Sequence, residues 1–137
     1  MNDSVRELPA SMKDLPAAAL TQVAEYFQAL AEPIRLQILN LLRSGERRVG
    51  DIALHCGCTQ ANASRHLALL SKQGMVVRVS RGTSAYYSIA DPAIYALCDL
   101  VCNSIACRLQ RSAPDWSVFT RLPTAIAPEE GDPSGER

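Results

Sequence analysis

Between Val49 and Lys72 two segments of helical periodicity are separated by little more than Gly57 and Cys58. Ile52 and Ala53 form the inward positions of the first segment, roughly Val49 to Cys56. Ala63, Leu67 and Leu70 form an apolar face on the second, for which Thr59 is the predicted N-cap. A junction this short, with a glycine to end the first helix, leaves the chain room for a tight turn and little else. Two short helices joined that way make a helix-turn-helix. The face opposite the second stripe presents Gln60, Ser64 and Arg65. Amides, hydroxyls and guanidinium at the start of a helix suit base edges and phosphates in a major groove, while the buried stripe fixes the helix to its domain. An ordinary amphipathic surface helix shares the periodicity, so the neighbouring segments carry the weight of the reading.

Those neighbours fall into a consistent order. Leu20, Val23, Ala24, Phe27, Leu30 and Ala31 recur at helical spacing and predict an amphipathic first helix. Ala31-Glu32-Pro33 stops it and starts another, because proline suits the first helical position. Pro33 to Arg43 is apolar almost all round (Ile34, Leu36, Ile38, Leu39, Leu41, Leu42) and is expected at the centre of the core, ending at Ser44-Gly45. After Gly74, the β-rich runs Met75 to Ser80 and Ala85 to Ile89 flank the turn Arg81-Gly82-Thr83-Ser84 and predict a hairpin. A hairpin directly after such a helix is a wing, and Arg78 and Arg81 put charge near its tip, where a phosphate backbone would pass. Asp91-Pro92 then starts a last helix with Ile94, Leu97, Val101 and Ile105 on one face, running to about Gln110. The expected class is mainly α with a β-hairpin wing.

The 137 residues suffice for one domain with a real core. Residues 1–14 are expected to be a flexible N-terminus and 15–112 the folded domain. Residues 113–137, with Pro114, Pro123, Pro128, Pro133 and an acidic cluster, are expected to form a largely unstructured tail. No apolar run is long enough for a bilayer and no secretion signal is evident, which points to the cytoplasm and to no membrane partner. Cys56, Cys58, Cys98, Cys102 and Cys107 are then expected as thiols. Formal net charge is zero, yet between Pro33 and Gly82 eight basic residues face only Glu46 and Asp51. A basic middle between acidic ends suits a polyanion-binding face.

Several short motifs now stand in a fixed order: Leu30-Ala-Glu-Pro-Ile-Arg-Leu-Gln-Ile-Leu39, Val49-Gly-Asp-Ile-Ala53, Ser64-Arg-His-Leu67, Leu70-Ser-Lys-Gln-Gly-Met75, and a wing ending Arg81-Gly82 and Tyr86-Tyr-Ser-Ile89. Together the stretch from Leu30 to Ile89 resembles the ArsR/SmtB family of winged-helix repressors. The resemblance implies a winged helix-turn-helix, dimerising through its first and last helices, that binds an inverted-repeat operator in double-stranded DNA. No cofactor would be required for that binding, and an inducer would weaken it. It also implies that Thr59, Gln60, Ser64 and Arg65 contact DNA, with His66 at the edge of that surface, and Arg78 and Arg81 would join them from the wing. A packing or capping role for His66 is an equal alternative, since it neighbours Ala63 and Leu67.

The family's inducer sites differ from member to member, so each is compared position by position. An arsenic-type Cys-Val-Cys-Asp-Leu motif aligns with Arg48-Val49-Gly50-Asp51-Ile52, which has neither thiol. Of the zinc-type set on the last helix Asp91 matches, but Ala93 and Ser104 stand at histidine positions and Cys107 at the last. What remains is Cys98, Cys102 and Cys107. Cys98 and Cys102 are four apart on one helical face, a spacing for chelating a thiophilic metal or metalloid such as As(III). Cys107 lies well around the helix and joins them only if the helix end unwinds or a partner subunit supplies it. Two rival readings stand beside this one. The thiols could sense oxidants or reactive sulfur, although the persulfide-type cysteine of the second helix is replaced by Asn40. They could equally be small buried hydrophobes, the better reading for Cys56. An enzyme is disfavoured, because the chain has no phosphate-cradling glycine loop and no metal-hydrolase motif. A pure protein-interaction module predicts no operator-specific binding.

Overall fold

The computed structural model describes residues 12–112. The expected tail at 113–137, and all of the expected flexible N-terminus except its last three residues, lie outside them. Met12–Asp14 form a single 3-10 turn. Contacts divide the chain between Asp91 and Pro92, so the helical and wing elements up to Asp91 are one unit and the last helix belongs to another.

In the first unit α1 (Ala17–Ala29) begins immediately after Pro16, which stands at the N-cap without a side-chain cap bond. That start is three residues before Leu20, the first apolar position of the expected stripe, because alanines need no stripe to be helical. Pro33 opens α2 (Pro33–Leu41), which tightens into a 3-10 turn over Leu42–Ser44. Only one side of α2 is buried, through Ile38 and Leu39 together with Arg35. Leu36 is exposed and Ile34 half-buried, so this helix is not enclosed all round as its composition suggested.

Then come a two-residue strand β1 (Arg47–Arg48), α3 (Val49–Cys56) and α4 (Gln60–Lys72). Both of these helices end the same way. Gly57 takes the left-handed conformation (φ 68°, ψ 37°) and donates to Leu54 O, while Cys58 N–H reaches Ala53 O at 3.0 Å. Gly74 (φ 76°) donates to Ser71 O and Met75 N–H to Leu70 O at 3.0 Å. This paired closure satisfies the last carbonyls of a helix and needs a residue without a Cβ penalty at positive φ. In the second case it also brings Leu70 and Met75, both fully buried, against the core. Ile38, Ile52, Leu67, Leu70 and Met75 are the large, fully enclosed side chains of this unit.

The hairpin is β2 (Val76–Arg81) and β3 (Ser84–Ile89), antiparallel, with Val79 opposite Tyr86 and Arg81 opposite Ser84. β1 adds to its other side, Arg47 opposite Tyr87, giving the order β1-β3-β2. The wing is thus the outer part of a three-stranded sheet stitched to the chain just before α3.

The second unit is described here by α5 (Ala93–Ser112). Ile94 is fully buried, and Leu97, Cys98, Cys102, Ile105, Ala106 and Leu109 are half-buried. Val101, an expected stripe residue, is 48% exposed and Leu100 is 67% exposed. No helix among the described residues is long and apolar enough to cross a membrane.

Candidate nucleic-acid interface

Helix α4 combines an enclosed apolar stripe with a polar outer face. Its N-cap is Thr59, in extended conformation, whose Oγ1 accepts from Asn62 N–H at 3.0 Å. That bond occupies a lone pair but leaves the hydroxyl hydrogen available to a phosphate. Ala63, Leu67 and Leu70 are completely enclosed. Gln60, Ser64 and Arg65 are exposed on the other side. Arg65 donates through Nη2 to Asn62 Oδ1, which holds the guanidinium along the helix near its N-terminal turn. Asn62 was not among the residues expected at this face. Its signal was only its position three residues after the cap.

Gln60 also shows why the short connection matters. A Cβ placed on Gly50, in the first turn of α3, would stand 3.1 Å from Gln60 Nε2. The small residue lets the two helices approach closely enough for the amide to lie across α3. Around it Arg48, Asp51, Gln60, Thr83 and Ser84 line a groove of about 380 Å³ between the start of α3, the start of α4 and the turn of the wing. Arg48 pairs with Asp51 at 3.6 Å, with both side chains about half exposed.

The wing cations differ from each other. Arg78 is exposed, with Nη1 donating to Ser80 Oγ at 3.4 Å. Arg81 is tied down, its Nη1 bonded to Glu46 Oε2 and its guanidinium 5.0 Å from the centre of the Tyr86 ring. An Arg81 contact to a phosphate would therefore compete with Glu46.

His66 has a partner that sequence inspection did not find. Its Nδ1 is 3.0 Å from Nη1 of Arg35 on α2. Arg35 is only 8% exposed, and it donates through Nε to Ala29 O at 2.6 Å and through Nη2 to Gln28 O at 3.2 Å. A guanidinium has donors only, so Nδ1 must accept and the neutral ring carries its proton on Nε2. Burial, then the Arg35 and Arg65 charges, push the imidazole below its ordinary value of 6.5, with Glu32 opposing them.

All five cysteines are thiols, Cys107 exposed and the others half-buried. Burial and the neighbouring Cys58 push the Cys56 thiol up, which favours its protonated form at neutral pH. Cys98 and Cys102 lie on the sheltered side of α5 with Ile94, Ile105 and Leu109, and Cys107 lies off it. Among the described residues of one chain, no three His, Cys, Asp or Glu side chains come together to hold a metal ion.

With this geometry in view, the likeness to known proteins is specific. The family model described as bacterial regulatory protein, arsR family, matches residues 32–77. The HTH-type transcriptional regulator Rv0324 of Mycobacterium tuberculosis is 44% identical over 67% of this chain, which spans 41% of that longer protein. The HTH-type transcriptional regulator NmtR of the same organism is 42% identical over 69% of this chain and 77% of its own length. A probable mercury resistance operon repressor of Streptomyces lividans is 32% identical over 80% of this chain and 85% of its own. Among solved structures, the homodimeric winged helix-turn-helix DNA-binding domain of a possible ArsR-family regulator from Mycobacterium bovis is 40% identical. It matches with a TM-score of 0.63, covering 75% of this chain and 95% of that domain. A possible transcriptional regulator for arsenical resistance matches with a TM-score of 0.54 at 29% identity, over 66% of this chain and 98% of that one. The family model spans α2 and the helix-turn-helix up to the start of β2, the relatives match over two thirds or more of the chain, and this chain belongs to the ArsR family of winged helix-turn-helix transcriptional regulators.

Proposed function

We propose that the chain is a homodimeric repressor that binds an inverted-repeat operator and releases it when a thiophilic metal or metalloid binds cysteines of α5. The observation that carries the DNA-binding half is α4 itself. Three enclosed apolar residues hold it, and Gln60, Ser64 and Arg65 stand exposed around its capped N-terminus. One such helix reads only a few base pairs, so a two-fold pair is needed for useful affinity. The M. bovis relative is homodimeric by its own description, and Leu100 and Val101 on α5, with Leu20 and Phe27 on α1, are large apolar residues left exposed in one chain. Arg78 would add a phosphate contact from the wing, and Arg81 another once released from Glu46.

The inducer half rests on Cys98 and Cys102. Their spacing puts two sulfurs on one helical face, a donor set that fits a soft ion and not a hard one. Two relatives carry mercury and arsenical resistance in their names, and both elements are thiophilic. A third thiolate, Cys107, would have to come from the partner subunit or from an unwound helix end. Ligation in a dimer interface would alter helix pairing and so the spacing of the two reading helices, which is a coupling between distinct sites.

The test is anisotropy of the reduced protein on its own promoter fragment, with As(III), Hg(II), Cd(II) or a persulfide donor added to wild type and to Cys98→Ser/Cys102→Ser. Release by a thiophilic ion that the double variant resists is the expected result. Release by the sulfur donor alone would replace the metal reading with a reactive-sulfur one. No preference for the promoter over random DNA at physiological salt would end the repressor reading, since non-specific binding is weak there.

A further inference from the structure

The Arg35–His66 contact goes beyond the repressor reading, on which it rests. We propose that the guanidinium of Arg35 positions α4 for DNA by donating to Nδ1 of His66, and that a proton taken up at that nitrogen uncouples the helix and weakens DNA binding.

The geometry leaves little freedom. Arg35 is anchored to the carbonyls of Gln28 and Ala29, the last residues of α1, where Gln28 O also takes the Ala31 N–H at 3.1 Å. Swinging out would break its bonds to both carbonyls and leave Ala29 O, in the interior, without its 2.6 Å donor. Its remaining bond goes to His66, one residue after Arg65 and one before the enclosed Leu67. The guanidinium therefore joins three helices, with the carbonyl end of α1 on one side and the middle of the DNA-reading helix on the other. Protonated His66 would present N–H to N–H and cation to cation at 3.0 Å. Since Arg35 is the fixed partner, it is the imidazole that must turn away, and α4 then loses its tether to the carbonyl end of α1.

The charged groups around the pair are few. From α4 come Arg65, and Lys72 beside Arg35; from the residue before α2 comes Glu32; from α1 comes Glu25. Glu32 favours the imidazolium, while Arg35, Arg65 and burial together outweigh it. Neutral His66 is thus the form the folded protein holds near pH 7, and the charged one is reached only below the ordinary imidazole range.

This device makes a prediction opposite in sign to simple electrostatics. An extra positive charge on a DNA-binding face should tighten binding and steepen its salt dependence. Loss of the Arg35 bond should weaken it. The experiment is anisotropy of the full chain on its promoter fragment from pH 7.5 to 5.5 at constant ionic strength, for wild type, His66→Asn and His66→Ala. Asparagine can place Oδ1 where Nδ1 stood and does not titrate. Wild type should lose roughly tenfold in affinity toward pH 5.5, the scale of one lost charge-assisted bond. Neither variant titrates at this position, so the dependence on pH is the readout: His66→Asn and His66→Ala should each be flat from pH 7.5 to 5.5, with the asparagine variant the tighter of the two. In parallel, ¹⁵N spectra of the two imidazoles should show His66 as the Nε2–H tautomer, titrating below 6.5. A wild-type affinity that is flat or rises in acid, or an Nδ1–H tautomer, overturns the proposal while leaving the repressor reading intact. Wild type that ignores its promoter at every pH would overturn both.

Discussion

Helices α4 and α5 are both amphipathic, yet they are finished to different degrees within one chain. On α4 the apolar stripe is fully enclosed and the polar face is exposed, capped by Thr59 and preorganised by Asn62. On α5 only Ile94 is fully enclosed; Cys98, Cys102, Ile105 and Leu109 stop at half-burial, and Leu100 and Val101 face outward. A reading surface must be rigid before its ligand arrives, because ordering it on binding would cost affinity. A sensing helix has the opposite requirement. It must possess two arrangements of similar free energy for an inducer to choose between, and an incompletely buried face with two thiols is suited to that.

The contrast breaks first at Leu67. Leu67→Ala removes a wholly buried side chain under the reading helix and should cost about 3 kcal/mol of unfolding free energy by urea titration. Leu100→Ala, on the exposed side of α5, should leave that free energy within about 0.5 kcal/mol and instead shift the oligomer toward monomer by sedimentation. Equal destabilisation by the two would erase the distinction. Next in size is Arg65→Ala, expected to weaken promoter binding by roughly tenfold or more at fixed salt, with thermal stability unchanged. Thr59→Ala should cost about 1 kcal/mol through the lost cap, visible as a lower urea midpoint.

Smaller effects sharpen the picture. Because folding lowers the His66 pKa, the unfolded chain takes up its proton first as pH falls. The stability linked to His66 should be fully present above pH 6.5 and fall away as pH drops from there through the folded value. Urea midpoints measured at pH 7.5 and 5.5 should show that acid loss in wild type and a smaller one in His66→Asn. The smallest change should come from Glu46→Ala. An exposed ion pair contributes little to stability, so the urea midpoint should hold, while the freed Arg81 should tighten promoter binding slightly.

What was legible in the sequence was what short-range physics encodes. The ends of α3 and α4 follow from Gly57, Thr59 and Gly74, each of which dictates its own backbone conformation or cap. The hairpin follows from its β-rich runs, although the strands reach one residue further on each side than the Arg81–Ser84 turn suggested, Arg81 pairing with Ser84. Illegible were the features that depend on distant partners. β1 is two arginines that become a strand only because Tyr86 and Tyr87, some forty residues on, lie opposite. Arg81 reads as a wing-tip cation until Glu46, far back in the chain, is found bonded to it. Arg35 reads as surface charge on an apolar helix, and its burial depends on carbonyls from α1 and an imidazole from α4 meeting at one point. The all-round apolar look of α2 misled in the opposite direction, since Leu36 finds no cover in the single chain.

The measurement that bears most directly on the account is promoter-fragment anisotropy of the reduced protein during a titration with As(III), wild type against Cys98→Ser/Cys102→Ser. The account predicts salt-sensitive binding by both, release of wild type near stoichiometric metalloid, and persistence of the double variant's complex. Release of both proteins alike, or of neither by any thiophilic ion, would contradict it and leave the cysteines of α5 as packing residues.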